Sequence, residues 1–264
     1  MGADDGFAPR VSIKYSIDDQ LNVYARYSKG FRFGGVNVIS PNPMFPSPTQ
    51  FSSDTLNAYE IGFKGSWDNG WAAELALYYY DWKDAQVNVV RPDFFIFTDN
   101  VGEAEVKGAE FILQYQNEDF AFLTSLSYAD AETSIDFLDG TGTIVNVPEG
   151  TSLPGSPEFQ SYTSLTYYFE AFGGDSSGYL TLSHSYISEY SADLQGVVPE
   201  DLGDYHTVDF SAGLDLSEGI SLGIHGRNLT NSKGLAGANV VPGTTNDFFI
   251  LKPRNFTIEL TMGF

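Results

Sequence analysis

The 264-residue sequence contains no cysteine and only three histidines. Without thiols it has no disulfide, no thiolate metal site and no cysteine nucleophile. The histidines, His184, His206 and His225, lack the close spacing of a metal-binding set. Basic residues are also scarce. Thirteen lysines and arginines stand against 35 aspartates and glutamates, a net charge of −22. A surface of that sign repels a phosphate backbone, which argues against nucleic acid as a partner. No apolar run approaches the ~18 residues of a membrane-spanning helix. The opening stretch, MGADDGFAPR, has neither the basic nor the apolar region of a secretory signal.

Aromatic residues and glycine are plentiful: 21 Phe, 16 Tyr and 27 Gly. That mixture favours strands joined by turns. The pattern agrees, because about eleven segments alternate with the two-residue period of a strand. Val11, Ile13, Tyr15 and Ile17 form one stripe; Leu21, Val23, Ala25 and Tyr27 form the next. Tyr59, Ile61 and Phe63 precede Trp71, Ala73, Leu75, Leu77 and Tyr79. Ala109 to Tyr115, Phe120 to Tyr128, Thr163 to Phe169, Leu180 to Tyr186, Val208 to Leu216 and Ile220 to Ile224 follow. The last stripe is Phe256, Ile258, Leu260, Met262 and Phe264. No segment reads as a helix.

Connections alternate too. Short turns such as IDDQ, WDNG and QNED are followed by connections of fifteen to thirty residues, such as GFRFGGVNVISPNPMFPSPTQFSSDT. Short turns at one end and long loops at the other describe an antiparallel up-and-down sheet. In the outer membrane this is the pattern of a β-barrel, with the long loops outside. Charge is sorted between the faces: Lys14, Arg26, Glu60, Lys64, Glu74, Glu110, Asp209, Asp215, Arg227 and Glu259 all avoid the apolar stripes. A basic residue facing lipid at mid-depth costs ~2–4 kcal/mol, which accounts for the sorting. Rings gather at both strand ends: Trp67, Trp71, Tyr115, Phe120, Phe169 and Phe264 at the short turns, and Tyr27, Tyr59, Tyr79, Tyr128 and Phe159 at the long ones. Soluble β-sandwiches also alternate, but rings at both ends and one-sided long loops favour a transmembrane barrel. His184 falls in an apolar stripe, so a bulge or phase slip is expected there.

Five stretches, LNVYARYSKGFRFGGVN, LNAYEIGFKGSW, NVGEAEVKGAEFILQY, GRNLTN and RNFTIELTMGF, resemble in content and order the TonB-dependent outer-membrane receptors. The resemblance implies an all-β, antiparallel transmembrane barrel of about 22 strands with a plugged lumen. Residues 1–264 would supply its carboxyl-terminal half, some eleven strands. The plug domain, energy-coupling box and signal peptide of the family are not in this sequence, so the chain is expected to be a fragment. The implied function is energised import of a scarce solute, first of all an iron–siderophore complex, in a Gram-negative outer membrane. The implied partners are the TonB complex (through the plug), lipid and lipopolysaccharide, and the barrel assembly machinery. The last would read the aromatic-ended stripe Phe256, Ile258, Leu260, Met262 and Phe264. The family implies no cofactor and no catalysis.

Candidate ligand residues lie in the long connections: Phe31, Arg32, Phe33, Arg91, Phe94, Phe95 and Tyr190. Arginine beside rings suits an anionic, partly apolar chelate, although the same rings also serve to pack loops together. DGTGT at 139–143 lacks a calcium-loop ligand series and reads as a polar loop tip. GFRFGGVN lacks the strand–helix context of a phosphate loop, and the sequons at Asn228 and Asn255 fall in strand-like segments. Two other functions are compatible with parts of the pattern. A passive pore requires a self-contained barrel of ten or twelve strands. A membrane hydrolase requires histidine and acid together at the rim, whereas His206 and Asp209 fall on opposite faces.

Overall fold

The computed structural model describes residues 6–38, 42–91, 93, 95–138, 145–174, 176–194, 201–216, 219–239 and 247–263. Eleven strands make one antiparallel sheet: β1 (Arg10–Ser16), β2 (Leu21–Arg32), β3 (Asp54–Ser66), β4 (Trp71–Val90), β5 (Ile96–Gln116), β6 (Phe120–Thr133), β7 (Phe159–Ala171), β8 (Ser176–Ile187), β9 (Tyr205–Leu216), β10 (Ile220–Arg227) and β11 (Asn255–Met262). Their order in the sheet is their order in the chain, and the described sheet is open, with β1 and β11 at its edges. Two-stranded ribbons decorate three of the long connections: Gly35–Val36 with Gln50–Phe51, Phe137–Leu138 with Val145–Val147, and Leu235–Asn239 with Asp247–Ile250. The one helical element among the described residues is a 3₁₀ turn, Phe172–Gly174.

Local chemistry makes the short turns. Asp18 Oδ1 accepts from the amides of Gln20 and Leu21 at 2.8 and 2.7 Å. Asn117 Oδ1 does the same for Asp119 and Phe120. Both are Asx turns, in which a side chain stands in for a backbone carbonyl. Gly70, at φ 88°, closes the β3–β4 turn with a conformation that side chains resist.

Register carries the sorted faces across the sheet. Val23, Phe63, Leu75, Phe111 and Leu126 lie opposite one another in turn, as do Leu182, Phe210 and Gly226. The apolar face is therefore continuous, and it is open: Ile13 is 69% exposed and Ile258 74%. A sheet that bares its apolar side to this extent is matched to lipid rather than water. The other face carries the charges. Arg26 pairs with Glu60, which also accepts from Tyr24 Oη at 2.7 Å, and Lys64 pairs with Glu74.

The aromatic girdles are contact networks. At the short-turn end Trp71 meets Tyr115 at 4.8 Å and Phe120 meets Tyr167 at 5.0 Å. At the other end Tyr27 meets Tyr59 tilted at 5.1 Å, and Tyr59 stacks on Tyr79 at 6.3 Å. That outer girdle descends along the sheet. Tyr79 is opposite Lys107, Tyr128 is opposite Ala109, and Tyr186 is opposite Ser161, two residues lower at each step. Strands tilted to a membrane plane require such a staircase. Just above the girdle the outward face turns charged. Lys83 bridges Asp81 and Glu103, Lys107 pairs with Glu105, and Glu105 accepts from Tyr79 Oη at 3.0 Å.

Two expectations are corrected. The gap between Tyr79 and Ala109 is not a long loop: β4 and β5 continue as one hairpin of 20- and 21-residue strands, joined by residues 91–95. A bulge at Ala85, beside Asp84 at φ 56°, shifts the register where this hairpin leaves the apolar belt. His184 needs no bulge. β8 pairs without a register shift on both sides, and the imidazole faces outward, 5.8 Å from His206, one step below the girdle. Only His225 faces inward, beside Ser211.

Candidate functional site

The long-connection end of the sheet is built around β2, β3 and the raised β4–β5 hairpin. Alternation places Arg32 on the inner face, opposite Asp54 at the start of β3. The Asp54 carboxylate is only 2% exposed and is enclosed by donors. It accepts from Arg32 Nε at 2.9 Å, Trp82 Nε1 at 2.9 Å and the Gln86 amide at 3.2 Å, and it forms an ion pair with the Arg32 guanidinium. The Arg32 side chain is 53% exposed, and its guanidinium lies 5.0 Å from the centre of the Trp82 ring. Burial alone raises the Asp54 pKa, but the bonds from Arg32, Gln86 and Trp82 outweigh it and hold the carboxyl below its usual range. One buried acid thus ties three strand ends together.

The connection 33–53 folds down onto the hairpin. Gln86 Nε2 donates to the carbonyls of Phe33 and Ser52, at 2.9 and 2.8 Å. Asn37 and Thr98 bond reciprocally, at 2.7 and 2.9 Å. Asn100 Nδ2 donates to Ser52 O at 3.0 Å. At the hairpin tip Arg91, 4% exposed, pairs with Asp93 at 2.7 Å, donates to Ser47 Oγ at 3.2 Å and covers the Phe95 ring at 4.6 Å. Asn42 also donates to Asp93, at 2.8 Å. The Arg91 guanidinium, with help from Asn42, lowers the Asp93 pKa to about 2.

The expected ligand residues therefore divide. Phe31 points outward, edge-on to Phe33 at 5.0 Å, while Arg32 points inward. Phe33 is 60% exposed and Arg32 offers part of its guanidinium to solvent, whereas Arg91 is enclosed and Phe95 lies beneath it. Residues 31–33, Arg91, Asp93 and Phe95 join one loop assembly. Tyr190 belongs to another: it bridges to Leu202, and its hydroxyl donates to Ala236 O at 3.2 Å. Phe94, Phe264 and the 139–143 tip lie outside the described residues. Phe256, Ile258, Leu260 and Met262 all line the outward face of β11, opposite Gly226, Ile224, Leu222 and Ile220.

The sequence gives little local sign of Asp54, Trp82 and Gln86 as a site. An acid just before an alternating stripe, opposite the arginine that ends the stripe before it, was the available signal. Among the described residues no group of three or more His, Cys, Asp or Glu is arranged to hold a metal. Ser211 Oγ and His225 Nδ1 are 3.0 Å apart, but Glu259 lies 4.0 Å from the ring and is 64% exposed. At that distance it does not orient the imidazole as a catalytic base.

Comparison with known proteins bears on this architecture. Residues 2–229 match the family model described as TonB dependent receptor-like, beta-barrel. The metal-pseudopaline receptor CntO of Pseudomonas aeruginosa is 25% identical over 266 residues, covering 97% of this chain and 33% of its own. The ferric yersiniabactin uptake receptor FyuA of Yersinia pestis superposes with a TM-score of 0.77 at 17% identity, covering 97% of this chain and 37% of that one. The siderophore receptor PiuA of Acinetobacter baumannii gives 0.73 at 15% identity, covering 96% and 35%. The chain spans about a third of the length of the curated relatives it matches.

Proposed function

The chain belongs to the TonB-dependent receptor family by its β-barrel, and from that premise we propose that it forms wall and outer loops of an uptake receptor in a Gram-negative outer membrane. Residues 1–264 are its carboxyl-terminal barrel portion. The solute is a small metal chelate, and an iron–siderophore complex is the first to test. Metal-pseudopaline and ferric siderophores are what the similar receptors are named for. Energy comes from the TonB complex, the charged band above the outer girdle meets lipopolysaccharide headgroups, and the β11 stripe is read by the barrel assembly machinery.

The observation that carries this reading is the lipid-facing register shared by eleven strands, ten of which lie within the family match. Its outer rim supports a receptor role. Arg32 and Trp82 together offer a cation and a ring to an anionic chelate, and Phe33 adds an exposed ring just past the end of β2. Arg91, Phe94, Phe95 and Tyr190 remain candidate contacts in the loops around it. The cycle needs no covalent step; capture and conformational work suffice.

The test is uptake of radiolabelled iron and other metal chelates by cells with the full-length gene deleted and restored, with TonB present or absent. Accumulation that requires both the gene and TonB supports the proposal. Equal accumulation without TonB would point to a passive pore.

A further inference from the structure

We propose that the solute crosses the lumen along one panel of the wall, the inward face of β6, β7 and β8. This rests on the uptake reading above and adds a route to it. The inward face is not uniform. On β2 to β5 it carries Arg26, Glu60, Lys64, Glu74 and Glu110, and four of these are joined in the ion pairs Arg26–Glu60 and Lys64–Glu74. On β6, β7 and β8 the inward positions include Ser125, Ser164, Thr166, Thr181 and Ser183. Between Ala121 and Thr133, Gln160 and Tyr168, and Ser177 and Ile187, no inward-facing residue is charged. Register places these hydroxyls side by side: Ser164 is opposite Ser183, and Thr166 Oγ1 lies 2.8 Å from Thr181 Oγ1.

Passage demands binding that is favourable enough to enter and weak enough to leave, repeated over several sites. A neutral hydroxyl meets that demand. It donates or accepts as required, so a solute need not arrive in one orientation. Bonds to fixed charges are stronger and directional, and would hold an ionic chelate in place. The ion pairs of β2 to β4 make that side an anchoring wall, while the hydroxyl panel, about 10 Å across between its outer strand axes, is a surface to move along. The solute class it fits is a hydrophilic chelate rich in hydroxyl, carbonyl and carboxylate oxygens.

These 264 residues include no cysteine, so single thiols report cleanly. In the full-length receptor with no other accessible thiol, Ser164→Cys and Ser183→Cys are compared with Ser12→Cys and Ser28→Cys, inward-facing serines beside the charged wall. Each is treated with a bulky, membrane-impermeant maleimide, and labelled-chelate binding and uptake are measured separately. The proposal expects modification at 164 and 183 to cut uptake at least fivefold with binding unchanged, and modification at 12 and 28 to leave both intact. Blocking at all four positions, at 12 and 28 alone, or at none of them despite complete modification overturns it. If the unmodified parent takes up no chelate, the transport reading fails, and the route falls with it.

Discussion

Asp54 is the most enclosed ionisable group of the outer rim, and its partners come from β2 and β4. Asp54→Ala would leave the Gln86 amide and Trp82 Nε1 without their acceptor, a local loss of about 1–3 kcal/mol. Hydrogen exchange at the Gln86 amide should then accelerate about 5- to 150-fold, while exchange in the β6–β9 amides stays unchanged. The Arg91–Asp93 pair sets a pH dependence. Asp93 titrates at about 2 in the folded chain against roughly 3.9 for a free aspartate. A depressed carboxyl stabilises the fold above the free value, and that contribution is lost as pH falls toward the folded one. Pepsin cleavage within 91–95 should therefore rise more steeply between pH 4 and pH 2.5 in the parent than in Asp93→Asn. Arg32, between two rings, and Arg91, three and four residues before two more, are conspicuous in the sequence. Their acids are not, because which residue faces Arg32 depends on a register set across the whole 33–53 connection.

Among the elements, alternation was legible wherever one face meets lipid and the other does not. It placed Leu75 and Phe111 outward and Ser125 inward, as the register does. Leu75→Arg or Phe111→Arg in the full-length receptor should reduce the folded, heat-modifiable form in outer-membrane fractions, at a cost of ~2–4 kcal/mol per site. Ser125→Arg should insert normally. Equal losses at all three would contradict the assigned faces. The upper halves of β4 and β5 escaped notice for the same physical reason. In DWKDAQVNVV and FTDNVGEAE neither face meets lipid, and loop residues cover Ala85, Phe97 and Ala104, so lipid imposes no apolar period and the strand signal fades although pairing continues. His184 misled in the opposite way, since a neutral imidazole one step below the girdle is tolerable without a bulge. His184→Leu should accordingly leave insertion unchanged or improve it.

For the molecule as a whole, the two sheet edges dominate. Among the described residues β1 and β11 each present a row of backbone donors and acceptors without a strand beyond them. In hydrocarbon each unsatisfied group costs several kcal/mol, more than outward-facing leucines can offset. Purified residues 1–264 refolded alone into lipid vesicles should show no heat-modifiable band and no discrete conductance. Steady single-channel currents from that chain would contradict this. The family and its wall could be read from short segments and their order, but the solute could not, because its recognition depends on loops folded against one another.

The meander order of the eleven strands has a kinetic consequence. Each strand closes on one that immediately precedes it in the chain, so no early step waits for a distant segment to diffuse home. The entropic penalty of each closure grows only slowly with the length of the intervening connection, and pairing between chain neighbours keeps contact order low for a β-structure, which favours faster folding. Assembly can advance hairpin by hairpin, like a zip, and the pauses should fall at the longest connections, 134–158 and 228–254, rather than at any one strand.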